Sequence, residues 1–205
     1  FYLEKKNSDK STAYYDFSNY QFSNKLFIEG YFQTEKYFIN YSNDLKKELL
    51  LKNDYIDNTN KYIDLLEKHN SVSICVRQNR YSEGKIKDNK KSNLFTQNTI
   101  NYIKRSVSFF KKKIDKPVFF IWSNDFQNLR EYFNEKDFIF IENQKNKSLN
   151  DFNLFTHSKH FIVGPTPFHW WGAWLNDNKN KFCLRPKDIN PSNNIDFWPN
   201  DWISI

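Results

Sequence analysis

HFIVGPTPFHWWGAWL, residues 160–175, is the stretch on which the fold turns. Residues 160–163 form a short apolar, β-prone run that breaks at Gly164-Pro165, and a helical segment opens with Thr166 and Pro167 ahead of two adjacent tryptophans. The order is strand, tight turn, helix. Thr166 carries a hydroxyl suited to an N-cap, and Pro167 stands where a missing N–H removes nothing that the helix would have used. A turn of this kind gathers unpaired backbone N–H groups at the positive end of a helix dipole, which makes it a seat for a phosphate or pyrophosphate. An ordinary capped helix in an α/β core would have the same sequence.

Working outward, residues 71–76, 118–122, 138–141, 160–163 and 182–184 are β-branched or aromatic runs of strand length. Helical stretches lie between them. The clearest covers residues 97–112, where Ile100, Ile103, Val107 and Phe110 recur at the spacings that make one apolar face. Strands alternating with helices predict a mostly parallel sheet whose ligands bind beyond the carboxyl ends of the strands, here after Val76 and after Val163. Residues 41–60 are the most polar helical passage and are expected to join two halves. Arg77, at the switch from an apolar strand into a polar loop, can hold a phosphate through two parallel hydrogen bonds that Lys cannot reproduce, or can pair at the surface with Glu83.

A chain of 205 residues with 39% hydrophobic content can bury a sizeable core, although two similar halves would normally need more. The formal charge of +7 invites a nucleic-acid reading, but the lysines are scattered or sit in runs such as Lys111-Lys112-Lys113, which suits a solvated helix end, and no nucleic-acid reading motif is present. Positive potential suits a diphosphate equally well. Cys75 and Cys183 each fall in an apolar run, as expected for reduced, packed thiols in a cytoplasmic protein. No apolar stretch approaches the length that spans a bilayer.

Four stretches together resemble the bacterial α-1,2-fucosyltransferases, glycosyltransferase family 11. The opening stretch is similar to that family's NSSFSWWGAWL: Phe168, Trp170, Trp171, Gly172, Ala173, Trp174 and Leu175 match, while Pro165, Thr166, Pro167 and His169 replace Asn and three Ser. IEGYFQTEKYF (residues 28–38) resembles GYFQSEKYF, SICVRQNRY (residues 73–81) resembles SIHVRRGDY, and FFIWSNDF (residues 119–126) resembles a segment containing FSDD. The glycine-rich GGLGNQ segment of the family has no counterpart, so the chain reads as a fragment without a first strand–loop–helix unit.

The resemblance implies an α/β, GT-B-like fold of two Rossmann-like domains. Residues 1–60 would be the remnant of an N-terminal, acceptor-side domain with its connecting helix, and residues 61–205 the C-terminal domain that binds the donor nucleotide. It implies Arg77 and Asp125 as catalytic positions, and Cys75, Arg77, Asp151, Thr166, Phe168 and His169 as donor-binding ones. Arg77 would contact the diphosphate and stabilise departing GDP, Asp151 would orient the nucleotide, and Asp125 would shape the pocket or polarise the acceptor. Asp125 and Asp151 could equally cap helices, and His169 could pack beside the tryptophans. SICVRQNRY also departs from the family pattern in chemistry: Cys75 stands for His, Gln78 for the second Arg, and Arg80 for Asp. Tyr31, Gln33 and Tyr37, like Trp198 and Trp202, read as packing residues.

The four histidines lack ligand spacing with acidic partners and no DxD pair is present, so no metal or other cofactor is expected. The expected activity is inverting transfer of L-fucose from GDP-β-L-fucose to a galactoside in surface-polysaccharide synthesis, in the cytoplasm with peripheral contact at the inner membrane. The partners would be a sugar nucleotide and a glycan acceptor, with no nucleic acid. A related transferase with another sugar-nucleotide donor and an inactive glycan-binding relative are the alternatives.

Overall fold

The computed structural model describes residues 2–3, 14, 16–17, 27–49, 61–83, 85, 87–142 and 148–205. In chain order its main elements are β1 (Tyr2–Leu3), β2 (Ile28–Glu29), α1 (Ser42–Glu48), α2 (Lys61–Lys68), β3 (Asn70–Val76), α3 (Asn89–Lys113), β4 (Pro117–Ser123), α4 (Leu129–Tyr132), β5 (Phe138–Phe140), α5 (Ser148–Thr156), β6 (His160–Ile162), α6 (Pro167–Leu175), β7 (Cys183–Arg185) and β8 (Ile203–Ser204). The chain divides into two units, Phe1–Glu48 with Asp188–Trp202, and Leu49–Lys187 with Ile203–Ile205.

The larger unit holds a six-stranded sheet in the order β5-β4-β3-β6-β7-β8, and every pairing in it is parallel. β3 is central. Ile74 stands opposite Ile121 of β4 and Ile162 of β6, and from Ser71 to Val76 every residue of the strand is buried. Burial on both faces explains why these strands read as continuous apolar runs rather than as alternation. Val72, Ile74 and Val76 point to one face with Phe119, Ile121 and Ile162, where they pack against Ile100, Ile103, Val107 and Phe110 of α3 and Leu129 of α4. The opposite face takes α2, α5 and α6: Ser71 Oγ donates to the Leu66 carbonyl at 2.6 Å, Trp122 packs edge-on against Phe155 at 5.5 Å, and Gly172 of α6 meets Phe155.

From β3 the chain winds outward through β4 to β5, returns to place β6 on the other flank of β3, and continues the other way to β7 and β8. The winding therefore reverses between β3 and β6. In a parallel α/β sheet that reversal opens a crevice beyond the strand carboxyl ends.

The sequence boundaries of the five long-sheet strands hold to within one residue, and β8, two residues long, carries too little pattern to be read. α3 begins at Asn89, eight residues before the expected start, because its first two turns are polar; Asp88 caps it by accepting from the Lys91 N–H at 2.9 Å. Lys111, Lys112 and Lys113 are exposed in its last turn, as expected for charges against the negative helix end. Cys75 and Cys183 are free and buried. Of the expected passage 41–60, α1 is helical, and residues 50–60 lie outside the described ones.

In the smaller unit β1 pairs parallel with β2. Tyr37 packs on Tyr14 and Phe32 at 5.0 and 5.2 Å, the Asn194 amide donates to the Gln33 carbonyl at 2.9 Å, and Trp198 and Trp202 are buried, with Trp198 Nε1 donating to the Ile189 carbonyl at 2.9 Å. Tyr31 departs from the packing expectation, being 72% exposed.

Candidate functional site

A cavity of about 330 Å³ lies beyond the carboxyl ends of β3, β4 and β6, where the winding reverses. Arg77 enters it from the first residue after β3, Asn124 from the first after β4, and Thr166, Phe168 and His169 from the turn and first helical residues after β6. Asp151 enters from the first turn of α5, and Val76, Trp122, Ser123 and Pro167 complete the lining. Five of the residues singled out in the sequence thus converge: Arg77, Asp151, Thr166, Phe168 and His169.

The β6–α6 turn is built as its sequence requires. Thr166 is extended (φ −129°, ψ 150°), accepts from the His169 N–H at 3.4 Å, and is followed by Pro167 at the first helical position. Its own N–H donates to the Gly164 carbonyl, and the Trp170 N–H returns to the Thr166 carbonyl. With Pro165 and Pro167 carrying no N–H, Phe168 supplies the one first-turn amide without a hydrogen-bond partner among the described residues. The expected collection of free amides is therefore corrected to one, and the polar character of the seat falls to side chains.

His169 is 7% exposed and its ring is fixed from behind. The Gly164 N–H donates to Nδ1 at 3.2 Å, so Nδ1 is the acceptor nitrogen and Nε2 carries the proton. Burial pushes its pKa down to about 3, and the Arg77 and Arg80 charges push the same way. The imidazole is a neutral donor at any ordinary pH. Gly164 makes this approach feasible, since a Cβ there would stand 3.0 Å from Nδ1.

Asp151 is also 7% exposed, and burial raises its carboxyl to about 6. It has no hydrogen-bond partner among the described residues. Because α5 begins at Ser148, Asp151 sits inside the first turn rather than ahead of the helix as a cap. Arg77 is one-third exposed and pairs with Glu83, itself 46% exposed, so the surface pairing considered in the sequence is present within the same loop. Such an exposed pair is weak and is open to competition from an anion of higher charge.

Asp125 and Cys75 lie apart from the lining. Asp125 Oδ1 accepts from the Gln127 N–H at 2.9 Å and Oδ2 from the Asn79 amide at 3.0 Å, so its carboxylate holds two loops in place. Cys75 is 1% exposed, and burial together with Cys183 keeps its thiol well above the usual range. Asn124 was not visible in the sequence as a lining residue, because only the β3–β4 register brings it beside the Arg77 loop, where its Oδ1 accepts from the Gln78 N–H at 2.9 Å. Among the described residues no three His, Cys, Asp or Glu side chains converge as a metal site, and no helix is long and apolar enough to cross a membrane.

The profile of glycosyl transferase family 11 matches residues 2–203. The chain is 28% identical over 184 positions to an alpha-1,2-colitosyltransferase of Escherichia coli, an alignment covering 86% of this chain and 61% of that protein. It is 24% identical over 213 positions to the O-antigen biosynthesis glycosyltransferase WbnK of Escherichia coli, covering 97% and 69% respectively. No solved structure matches the chain.

Proposed function

The chain belongs to glycosyl transferase family 11, and from that premise we propose that it carries the donor-nucleotide half of a glycosyltransferase that moves L-fucose from GDP-β-L-fucose to a galactoside, with inversion. The observation that supports this reading is the convergence of Arg77, Thr166, Phe168 and His169 as donors, with Asp151 as acceptor, in one cavity at the winding reversal of the sheet. A diphosphate needs donors and positive charge; a nucleoside carries donors that a carboxylate accepts. Asp125 is assigned the holding of the β3 and β4 loops, and Cys75 is assigned no contact with donor.

In the proposed reaction an acceptor hydroxyl attacks the anomeric carbon, losing its proton to solvent, while the bond from that carbon to the β-phosphate oxygen breaks. The bonding pair leaves with GDP. Arg77 leaves Glu83 for the diphosphate and, with the Thr166 hydroxyl, the Phe168 N–H and the neutral His169 Nε2–H, takes up the charge that grows there. Four protein donors make the reaction independent of a divalent ion. The acceptor is a surface glycan, and the reaction takes place on the cytoplasmic side of the inner membrane.

A second donor is favoured by a specific observation: the colitosyltransferase relative, together with altered residues at positions 75, 78 and 80. Colitose is L-fucose without its 3-hydroxyl, so the two donors share the GDP moiety. Thermal-shift titration with GDP, UDP, GDP-fucose and GDP-colitose separates the cases. Stabilisation by GDP species over UDP is expected. Indifference to all four would overturn the reading, and binding of a GDP sugar without release of GDP in the presence of acceptor would identify an inactive relative.

A further inference from the structure

The loop that carries Arg77 differs from the family motif at the two positions that follow it most closely in chemistry, Gln78 for Arg and Arg80 for Asp, and the structure gives both a place. Gln78 is turned toward the β4 loop. Its side-chain amide donates to the Asp125 carbonyl at 2.6 Å and the Gln127 carbonyl at 3.1 Å, and its backbone N–H and C=O both bond the Asn124 side chain. Asn79, at φ 59°, occupies the left-handed region that Asn tolerates best after Gly, and the motif has Gly at this position. Arg80 faces the other way. Its Nη1 donates to the Pro165 carbonyl at 3.0 Å, and its guanidinium lies 5.5 Å from the centre of the Phe95 ring of α3.

The contact with Pro165 matters because that turn has little to hold itself. Two of its residues are prolines, and its internal hydrogen bonds are Thr166 N–H to Gly164, Gly164 N–H to His169 Nδ1 and the cap bonds to Thr166, none of which engages Pro165. Arg80 ties it to the Arg77 loop, which Gln78 and Asn79 have already fastened to the β4 loop. Arg80 has no carboxylate partner among the described residues, and its charge is felt at His169.

We propose that Arg80 is a positioning residue: by holding the Pro165 carbonyl it fixes the β6–α6 turn against the Arg77 loop, and it places beside that turn a second cation, which Gln78 does not supply. The part of this that concerns phosphate rests on the donor-site reading above; the tether does not. Arg80→Met keeps the stem over Phe95 and removes charge and donors, and Arg80→Lys keeps the charge with a single-point donor.

The tether is read by amide hydrogen exchange in the ligand-free protein. R80M should exchange at least about tenfold faster than wild type over residues 166–170 and R80K by less, with exchange in β3 and β4 unchanged. Wild-type exchange at the turn in R80M overturns the proposal whatever the cavity binds; should R80M fold poorly, R80K exchanging as wild type does so instead. The charge is read by calorimetric binding of inorganic pyrophosphate and of guanosine. R80M should bind pyrophosphate about tenfold more weakly with guanosine affinity unchanged, and equal pyrophosphate affinity overturns the claim for the second cation. A wild-type protein that binds neither probe, but whose turn loosens in R80M, counts against the donor-site reading and supports the tether.

Discussion

Gly172→Ala sets two effects of opposite sign against each other. In an isolated helix the change stabilises by roughly 1 kcal/mol, since glycine loses more backbone freedom on folding. Here an added Cβ would overlap Phe155 Cδ1 and stand 2.9 Å from Cε1, where carbon atoms rest best about 3.5–4.0 Å apart. Phe155 has no room to withdraw: it is fully buried, with Trp122, Phe161 and Phe168 at 5.5, 5.2 and 5.7 Å. Overpacking at such a site costs about 1–3 kcal/mol or more and outweighs the propensity gain, so a net loss of about 1–2 kcal/mol is expected. For a chain of this size that lowers Tm by about 2–8 °C in a calorimetric melt. Because Phe155 also contacts Phe168 and His169 of the cavity wall, GDP affinity should fall with it, and Phe155→Leu in the same chain should return much of the Tm. A Gly172→Ala protein that melts at or above wild type would refute the reasoning, for it would mean that α6 shifts freely over α5.

Arg77→Lys should lower transfer about a hundredfold or more with little change in Tm, since the exposed pair with Glu83 contributes little to the fold; near-normal turnover would remove Arg77 from the diphosphate. For Asp151 the folded pKa, about 6, lies above the unfolded value of about 3.9, so this group's contribution to stability is fully present below about pH 4, falls as pH rises toward 6, and above that becomes the constant cost of a buried charge. Asp151→Asn should therefore melt higher than wild type at pH 8, by up to about 3 kcal/mol, match it near pH 3.5, and bind GDP more weakly; no gain at pH 8 would show that the carboxylate is satisfied after all. Thr166→Val should cost about 1 kcal/mol of stability and also weaken GDP binding, and an earlier melt with unchanged affinity would reduce Thr166 to a cap. Transfer should survive EDTA, and loss on chelation that magnesium or manganese restores would contradict a donor site made of Arg77 and its neighbours.

The sequence was legible where its chemistry is local. Gly164-Pro165-Thr166-Pro167 can do little other than end a strand and start a helix, and residues 71–76 are apolar enough to be a buried strand whatever surrounds them. What escaped depended on register or on distant contacts. Asn124 lines the cavity because β4 pairs with β3 in one particular alignment. The tautomer of His169 depends on the approach of the Gly164 amide, and the first turns of α3 are polar because solvent, not the core, covers them. Asp151 is the fourth residue of α5 rather than a cap ahead of it, since Ser148, Leu149 and Asn150 give no sign that a helix has already begun. The shortage of free amides at the turn could have been read directly from its two prolines.

That shortage bears on how such a site changes over generations. A backbone amide is present whatever the side chain, so a seat made of amides resists alteration by point substitution, and its ligand is inherited with the fold. Here Pro165 and Pro167 leave a single free amide at Phe168, and recognition passes to groups that each change with one codon. Arg80, which bonds the turn, and His169, which closes it, already differ from the family motif. If the site takes a sugar nucleotide as proposed, the framework of the sheet can stay constant while the donor changes, one residue at a time.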